Sequence, residues 1–136
     1  MKRMIAALAL TLGAGLAACG LDVRSADLFV LTRAGQGAKL TLLVSDGGTI
    51  RCNGAKAKRI SDPLLIQARD LADDLDKDAK AKLKLPVRTA SVYAYTVMLP
   101  DGTLNFADTN VKGHQELARA ELFAAQAAQS ACGLSG

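Results

Sequence analysis

The sequence predicts an α+β fold: an antiparallel sheet of about five strands with two helices packed on one face, in the order βββαββα. Three observations carry that expectation. Residues 28–33 and 39–45 are rich in β-branched and aliphatic side chains, with Leu40, Leu42 and Val44 at the two-residue strand period, and a further run of aromatic and aliphatic residues follows residue 91. Glycine-bearing turns of hairpin type separate these runs, at Gly35 to Gly37, at Asp46-Gly47-Gly48 and at Asp101-Gly102. Two further stretches, one opening at Asp62-Pro63 and one near Gly113, repeat their apolar residues at helical spacing.

The first two runs, "LFVLTR" and "KLTLLVS", are joined by "AGQGA", whose two glycines suit a hairpin loop. Leu40, Leu42 and Val44 share one side of the second strand, with Thr41, Leu43 and Ser45 on the other. After the Asp46-Gly47-Gly48 turn, Ile50 and Cys52 alternate against Thr49 and Arg51, so a third strand points Cys52 inward. The helix that follows takes Asp62 as its cap and Pro63 as its first residue, a position where the missing N–H costs nothing. Leu64, Ala68, Leu71, Leu75 and Ala79 form its apolar stripe, which reaches on to Leu83 before Pro86 blocks the helix. In "ASVYAYTVMLPDGTLNFADT" a second hairpin turns at Asp101-Gly102. Tyr93, Tyr95, Val97 and Leu99 fall on one side, and Val92, Ala94, Thr96 and Met98 on the other. Both sides are apolar, which implies a strand covered on each face or a partner surface. The last helix, from about Gly113 to Cys132, gathers Leu117, Ala120, Phe123, Ala124, Ala127 and Ala131, and Gly133-Leu134 reads as its C-terminal cap.

Ahead of this domain stands an address. Lys2 and Arg3 precede an uncharged run from Met4 to Ala18, the layout of a secretory signal peptide. The run is too short to span a bilayer, which takes roughly 20 apolar residues. It ends in "LAAC", Leu16 to Cys19, which resembles the bacterial lipobox. The resemblance implies a diacylglyceryl group on the Cys19 thiol, loss of residues 1–18, and a mature chain tethered by residues 19–26 to a single α+β domain at 27–136. Two acyl chains anchor stably where one binds only marginally. The expected location is therefore the extracytoplasmic face of a membrane, in the cell envelope. The Ala-rich composition and "LTLLVSDGGTIRCNG" are similar to small actinobacterial lipoproteins.

Composition narrows the rest. The chain of 136 residues carries 17 Lys and Arg against 13 Asp and Glu, and removing Lys2 and Arg3 with the leader brings the net charge from +4 to +2. Nucleic acid needs a concentrated basic stripe, and the densest cluster is Lys56, Lys58 and Arg59, so no nucleic-acid partner is expected. That cluster reads as a solvated loop or, alternatively, as a patch for acidic lipid headgroups or a partner. With Cys19 given to lipid, Cys52 and Cys132 remain, and an even pair in an exported domain reads as a disulfide.

Catalytic and metal signals are weak. Asp74, Asp76 and Asp78 mimic the opening of a calcium loop, but Ala79 and Leu85 stand where that loop needs glycine and glutamate. His114 is the single histidine, and an enzyme built on it needs a pocket joining it to Asp46, Asp101 or Asp108. No metal, cofactor or catalytic set is expected. Tyr93 and Tyr95, with Phe106 across the hairpin, are the candidate partner surface. The expectation is a non-enzymatic, lipid-anchored protein that binds an envelope partner or supports a surface assembly. The order of hairpin, helix and late hairpin also resembles the subtilisin-inhibitor-like family, which implies protease inhibition through a reactive loop pinned by one of two disulfides. Intact-mass analysis of the membrane fraction is expected to find the chain starting at Cys19 with a diacylglyceryl adduct, and Cys19→Ser is expected to lose it.

Overall fold

The computed structural model describes residues 27–86 and 90–134; the leader, Cys19 and the tether lie outside the described residues. Four strands, β1 (Asp27–Gly35), β2 (Ala38–Ser45), β3 (Thr49–Cys52) and β4 (Lys58–Arg59), precede helix α1 (Asp62–Lys80). Strands β5 (Ala94–Leu99) and β6 (Gly102–Ala107), a 3₁₀ turn (Asp108–Asn110) and helix α2 (Gln115–Ser130) complete the chain. The strands form one antiparallel sheet in the order β4-β3-β2-β1-β5-β6.

The class and the one-sided packing agree with the sequence reading, with one strand more. That extra strand, β4, falls in the basic cluster read as a loop: Lys58 and Arg59 pair with Ile50 and Thr49 at the sheet edge. Sheet pairing of the backbone, which leaves no trace in a two-residue pattern, places it there.

Alternation decides which side is core. Phe29 and Leu31 of β1, Leu40, Leu42 and Val44 of β2, Ile50 of β3, Tyr95, Val97 and Leu99 of β5, and Leu104 and Phe106 of β6 are all buried on one face. Both helices press their stripes onto that face. From α1 come Leu64, Ala68, Leu71, Ala72, Leu75 and Ala79, and from α2 Leu117, Ala120, Phe123, Ala124, Ala127 and Ala128. The run of buried alanines brings the α2 backbone close, and Phe123 fills the remaining depth by meeting Phe29 edge to face, ring centroids 5.6 Å apart.

Helix ends follow local chemistry. Ser61, one residue before the expected cap, accepts a hydrogen bond from the Leu64 amide through its hydroxyl. The helix stops at Lys80, so Leu83 packs on the core from the following loop instead of extending the stripe. Asp46 at the β2–β3 turn receives Arg69 of α1 at 2.7 Å, and Asp101 at the β5–β6 turn receives Lys80 at 3.1 Å. Arg119 of α2 reaches Asp74 of α1. These exposed pairs orient the helices and add little stability.

Cys52 and Cys132 form a disulfide that joins the end of β3 to the residue pair beyond α2 across a sequence separation of 80. Gly133, at φ +64°, then turns the chain so that the Leu134 amide donates to Ala128 at 2.8 Å. On the chain-entropy account a bridge of this span contributes roughly 4 kcal/mol, chiefly by restricting the unfolded chain. The double variant Cys52→Ser/Cys132→Ser is expected to lose about 2–4 kcal/mol in urea unfolding, with little change in far-ultraviolet circular dichroism.

Candidate functional site

A cleft of about 360 Å³ opens at the β1–β2 hairpin end of the domain, lined by Arg33, Gln36, Lys39, Leu40, Tyr93 and Leu134 among others. The hairpin itself builds one wall. Gln36 and Gly37 both adopt positive φ, 52° and 72°, which is the two-residue turn whose twist matches flanking strands. Glycine takes that conformation freely; at Gln36 it is strained and brings the side chain to the Tyr93 hydroxyl, which donates to Gln36 Oε1 at 3.0 Å.

Tyr93 is fixed from behind as well. One Asp108 oxygen accepts the amides of Val92 and Tyr93, at 2.9 and 3.1 Å, and so turns this segment out of line with β5. Gly35 makes the approach possible, because a Cβ there would meet the Val92 carbonyl oxygen at 2.1 Å. Arg33 then lays its guanidinium over the Tyr93 ring, 4.9 Å from the centroid. Arg33 sits on the core-facing side of β1, opposite Leu40 and Tyr95, where its stem is covered and its head reaches the cleft. Among the described residues neither Arg33 nor Lys39 has a carboxylate within ion-pairing distance.

Tyr95 corrects the sequence expectation. It is 4% exposed and stacks on Phe106 at 4.8 Å with ring planes 6° apart, so it belongs to the core and not to a partner surface. The two tyrosines separate because β5 begins at Ala94, leaving Tyr93 outside the alternation. Burial, and then the Glu121 carboxylate, push the Tyr95 phenol up to about 12, against the pull of Arg33. Glu121 is itself raised, by burial first and by Asp108 second. The half-buried Arg33, Asp108 and Glu121 thus form a polar layer around the buried Tyr95.

Sequence reasoning passed over Arg33 because a strand arginine reads as solvent-facing. The signal was present: Phe29, Leu31 and Arg33 share one phase of the two-residue period, which aims the arginine inward.

His114 goes elsewhere. Its Nδ1 faces Glu116 Oε1 at 3.5 Å, whereas Asp46, Asp101 and Asp108, its sequence-proposed partners, hold Arg69, Lys80 and backbone amides respectively. Near it, Asp78 of α1 is pushed up to about 6, first by burial and next by a hydrogen bond with the Glu116 carboxyl, with His114 opposing. Asp74 and Asp76 turn to Arg119, Lys77 and Lys80. Among the described residues no group of three or more His, Cys, Asp or Glu is placed to hold a metal ion, and no helix is long and apolar enough to cross a membrane.

No family model, curated protein or solved structure matches this chain.

The Asp78–Glu116 contact has a definite pH signature. The folded state raises Asp78 above its ordinary value near 3.9, so this contact favours folding at low pH and loses that contribution as pH rises through about 6. Asp78→Asn is expected to stabilise the domain at pH 7.5 by on the order of 1 kcal/mol, solvent access to the pair keeping the gain small. The difference from wild type is expected to vanish towards pH 4 in thermal unfolding.

Proposed function

We propose that the chain is a lipid-anchored cell-envelope protein, non-enzymatic, that engages an envelope partner through the cleft at the β1–β2 hairpin. The anchor half of this reading rests on "LAAC" behind a charged and then apolar leader. The binding half rests on one observation: the Arg33 guanidinium stacked on Tyr93, with the tyrosine hydroxyl held by Gln36.

Arginine and tyrosine dominate the energetics of protein interfaces, because each presents a large flat surface with directional donors at its edge. Here both are ordered before any partner arrives, so little side-chain freedom is left to lose on association. Lys39 adds a second cation at the rim, and Leu40 and Leu134 supply apolar walls. The chemistry suits a partner that offers a carboxylate beside an apolar or aromatic group. Arg33 lies six residue steps along β1 from Asp27, where the strand begins, or about 20 Å at strand spacing. The tether therefore joins the domain at the end of β1 away from Arg33.

The test is photocrosslinking in intact cells with the reactive side chain at Ala38, which lines the cleft, compared with a control position at Asp73 on α1. Adducts specific to position 38 are expected, with Arg33→Ala and Tyr93→Ala each lowering their yield tenfold or more while the protein stays in the membrane fraction. Equal yield from both positions, or adducts unchanged by the two substitutions, would reject the cleft as the binding site.

A further inference from the structure

The two helices cover one face of the sheet, and the other face is bare among the described residues. Strand registers assemble it into rows. Arg51, Leu43, Val30, Met98 and Thr103 stand side by side across β3, β2, β1, β5 and β6. Thr41, Thr32, Thr96 and Asn105 form the next row, and Lys39, Ala34, Ala94 and Ala107 the one beyond. Arg59 of β4 joins beside Thr49 at the edge. Met98, in the middle, is 55% exposed.

Charge is distributed unequally between the two sides. Arg51, Arg59 and Lys39 are exposed on the bare face, and among the described residues its one carboxylate is Asp27, at the first residue of β1 where the chain enters. The helical side holds Asp62, Asp70, Asp73, Asp74, Asp76 and Asp78 on α1 with Glu116 and Glu121 on α2, eight acids against the four cations Arg69, Lys77, Lys80 and Arg119 of the same helices. A small apolar centre ringed by cations and hydroxyls, without acids, matches the headgroup region of an anionic bilayer, where arginine and lysine are attracted and methionine and valine dip below the phosphates.

The chain's own geometry selects that occupant. Residues 20–26 are seven in number, and a chain of that length reaches at most about 25 Å. It enters at the end of β1, a strand inside the sheet, and six strands at their normal spacing span about 24 Å. With Cys19 held in the bilayer, every part of the bare face lies within reach of the headgroups, at an effective concentration that makes weak contacts count. Each cation near an anionic leaflet favours the bound arrangement by about fivefold. We propose that the bare face of the sheet, Arg51, Arg59 and Lys39 around Val30, Leu43 and Met98, lies against anionic lipid headgroups and turns α1 and α2 away from the membrane. This rests on the lipid-anchor reading above.

The chain contains no tryptophan, so a single introduced indole reports its own position. The lipidated protein carrying Met98→Trp is reconstituted into vesicles of phosphatidylcholine and phosphatidylglycerol, with and without bromine on the acyl chains. Bromine is expected to quench its emission at least twofold, and Thr103→Trp on the neighbouring strand is expected to behave alike. Ile66→Trp, on the exposed side of α1, is expected to be unaffected. Arg51→Glu/Arg59→Glu, or vesicles of phosphatidylcholine alone, should abolish the quenching while the protein still sediments with the vesicles. Equal emission in plain and brominated vesicles, quenching at Ile66→Trp instead, or a blue shift without quenching, as a second copy covering the face would give, overturns the proposal. The mass of the Cys19 peptide is read on the same sample: an adduct without quenching rejects the face alone, and no adduct rejects the anchor and the proposal together.

Discussion

Both helices bury their apolar stripes on the same face of the sheet, and the remaining features of the molecule follow from that shared choice. Eleven strand residues from five strands converge on this single core with the leucines of α1 and the alanines of α2. Burying that much apolar surface between the sheet and one helix layer gives the domain its stability. The opposite face is then free of packing demands, and its composition can answer to something other than the fold. The same choice sets the position of the disulfide, since α2 must end over β3 for Cys132 to meet Cys52.

At the rim of this arrangement the core runs out of apolar material and becomes polar by degrees. Tyr95 is wholly inside, Arg33 has a covered stem and an open head, and Tyr93 is half out. The gradient is what creates the cleft. A cation in this position keeps its charge solvated while its aliphatic portion seals the sheet, and the tyrosine ring gives the guanidinium a flat support. Asp108 and Gln36 finish the construction by tying the 92–93 backbone and the Tyr93 hydroxyl to two different loops. The site is therefore held by the same contacts that close the end of the sheet.

Most of this fold was legible before the structure. Turn glycines, alternation in β2, β3 and β5, and the spacing of Leu64, Leu71 and Leu75 each report a local preference, and the native elements respect them. The disulfide was legible because the redox logic of two leftover cysteines does not depend on topology. What escaped were features that exist only between segments. Nothing in "KR" says that Lys58 and Arg59 will pair with β3. Nothing in "YAY" says that the first tyrosine leaves the strand and the second stays, since that division is enforced by Asp108 and by the space beside Gly35. His114 shows the same limit from the other direction, as its neighbours Glu116 and Asp78 come together only when α2 lies on α1.

The central place of β1 governs how the molecule assembles. Its partner on one side, β2, follows at once, but its partner on the other, β5, is separated from it by four elements, and α2 comes after everything else. As the polypeptide emerges from its N-terminal end, the β1–β2–β3 meander and α1 can associate early, while the middle of the sheet keeps an unpaired edge until β5 arrives. Closure of the core waits longer still, for Phe123 to reach Phe29. Such late completion is slow, because distant segments must meet before any of their contacts reward the loss of freedom. It leaves a half-formed edge open to other chains in the interval, so the danger of aggregation is concentrated in the time before the last helix arrives.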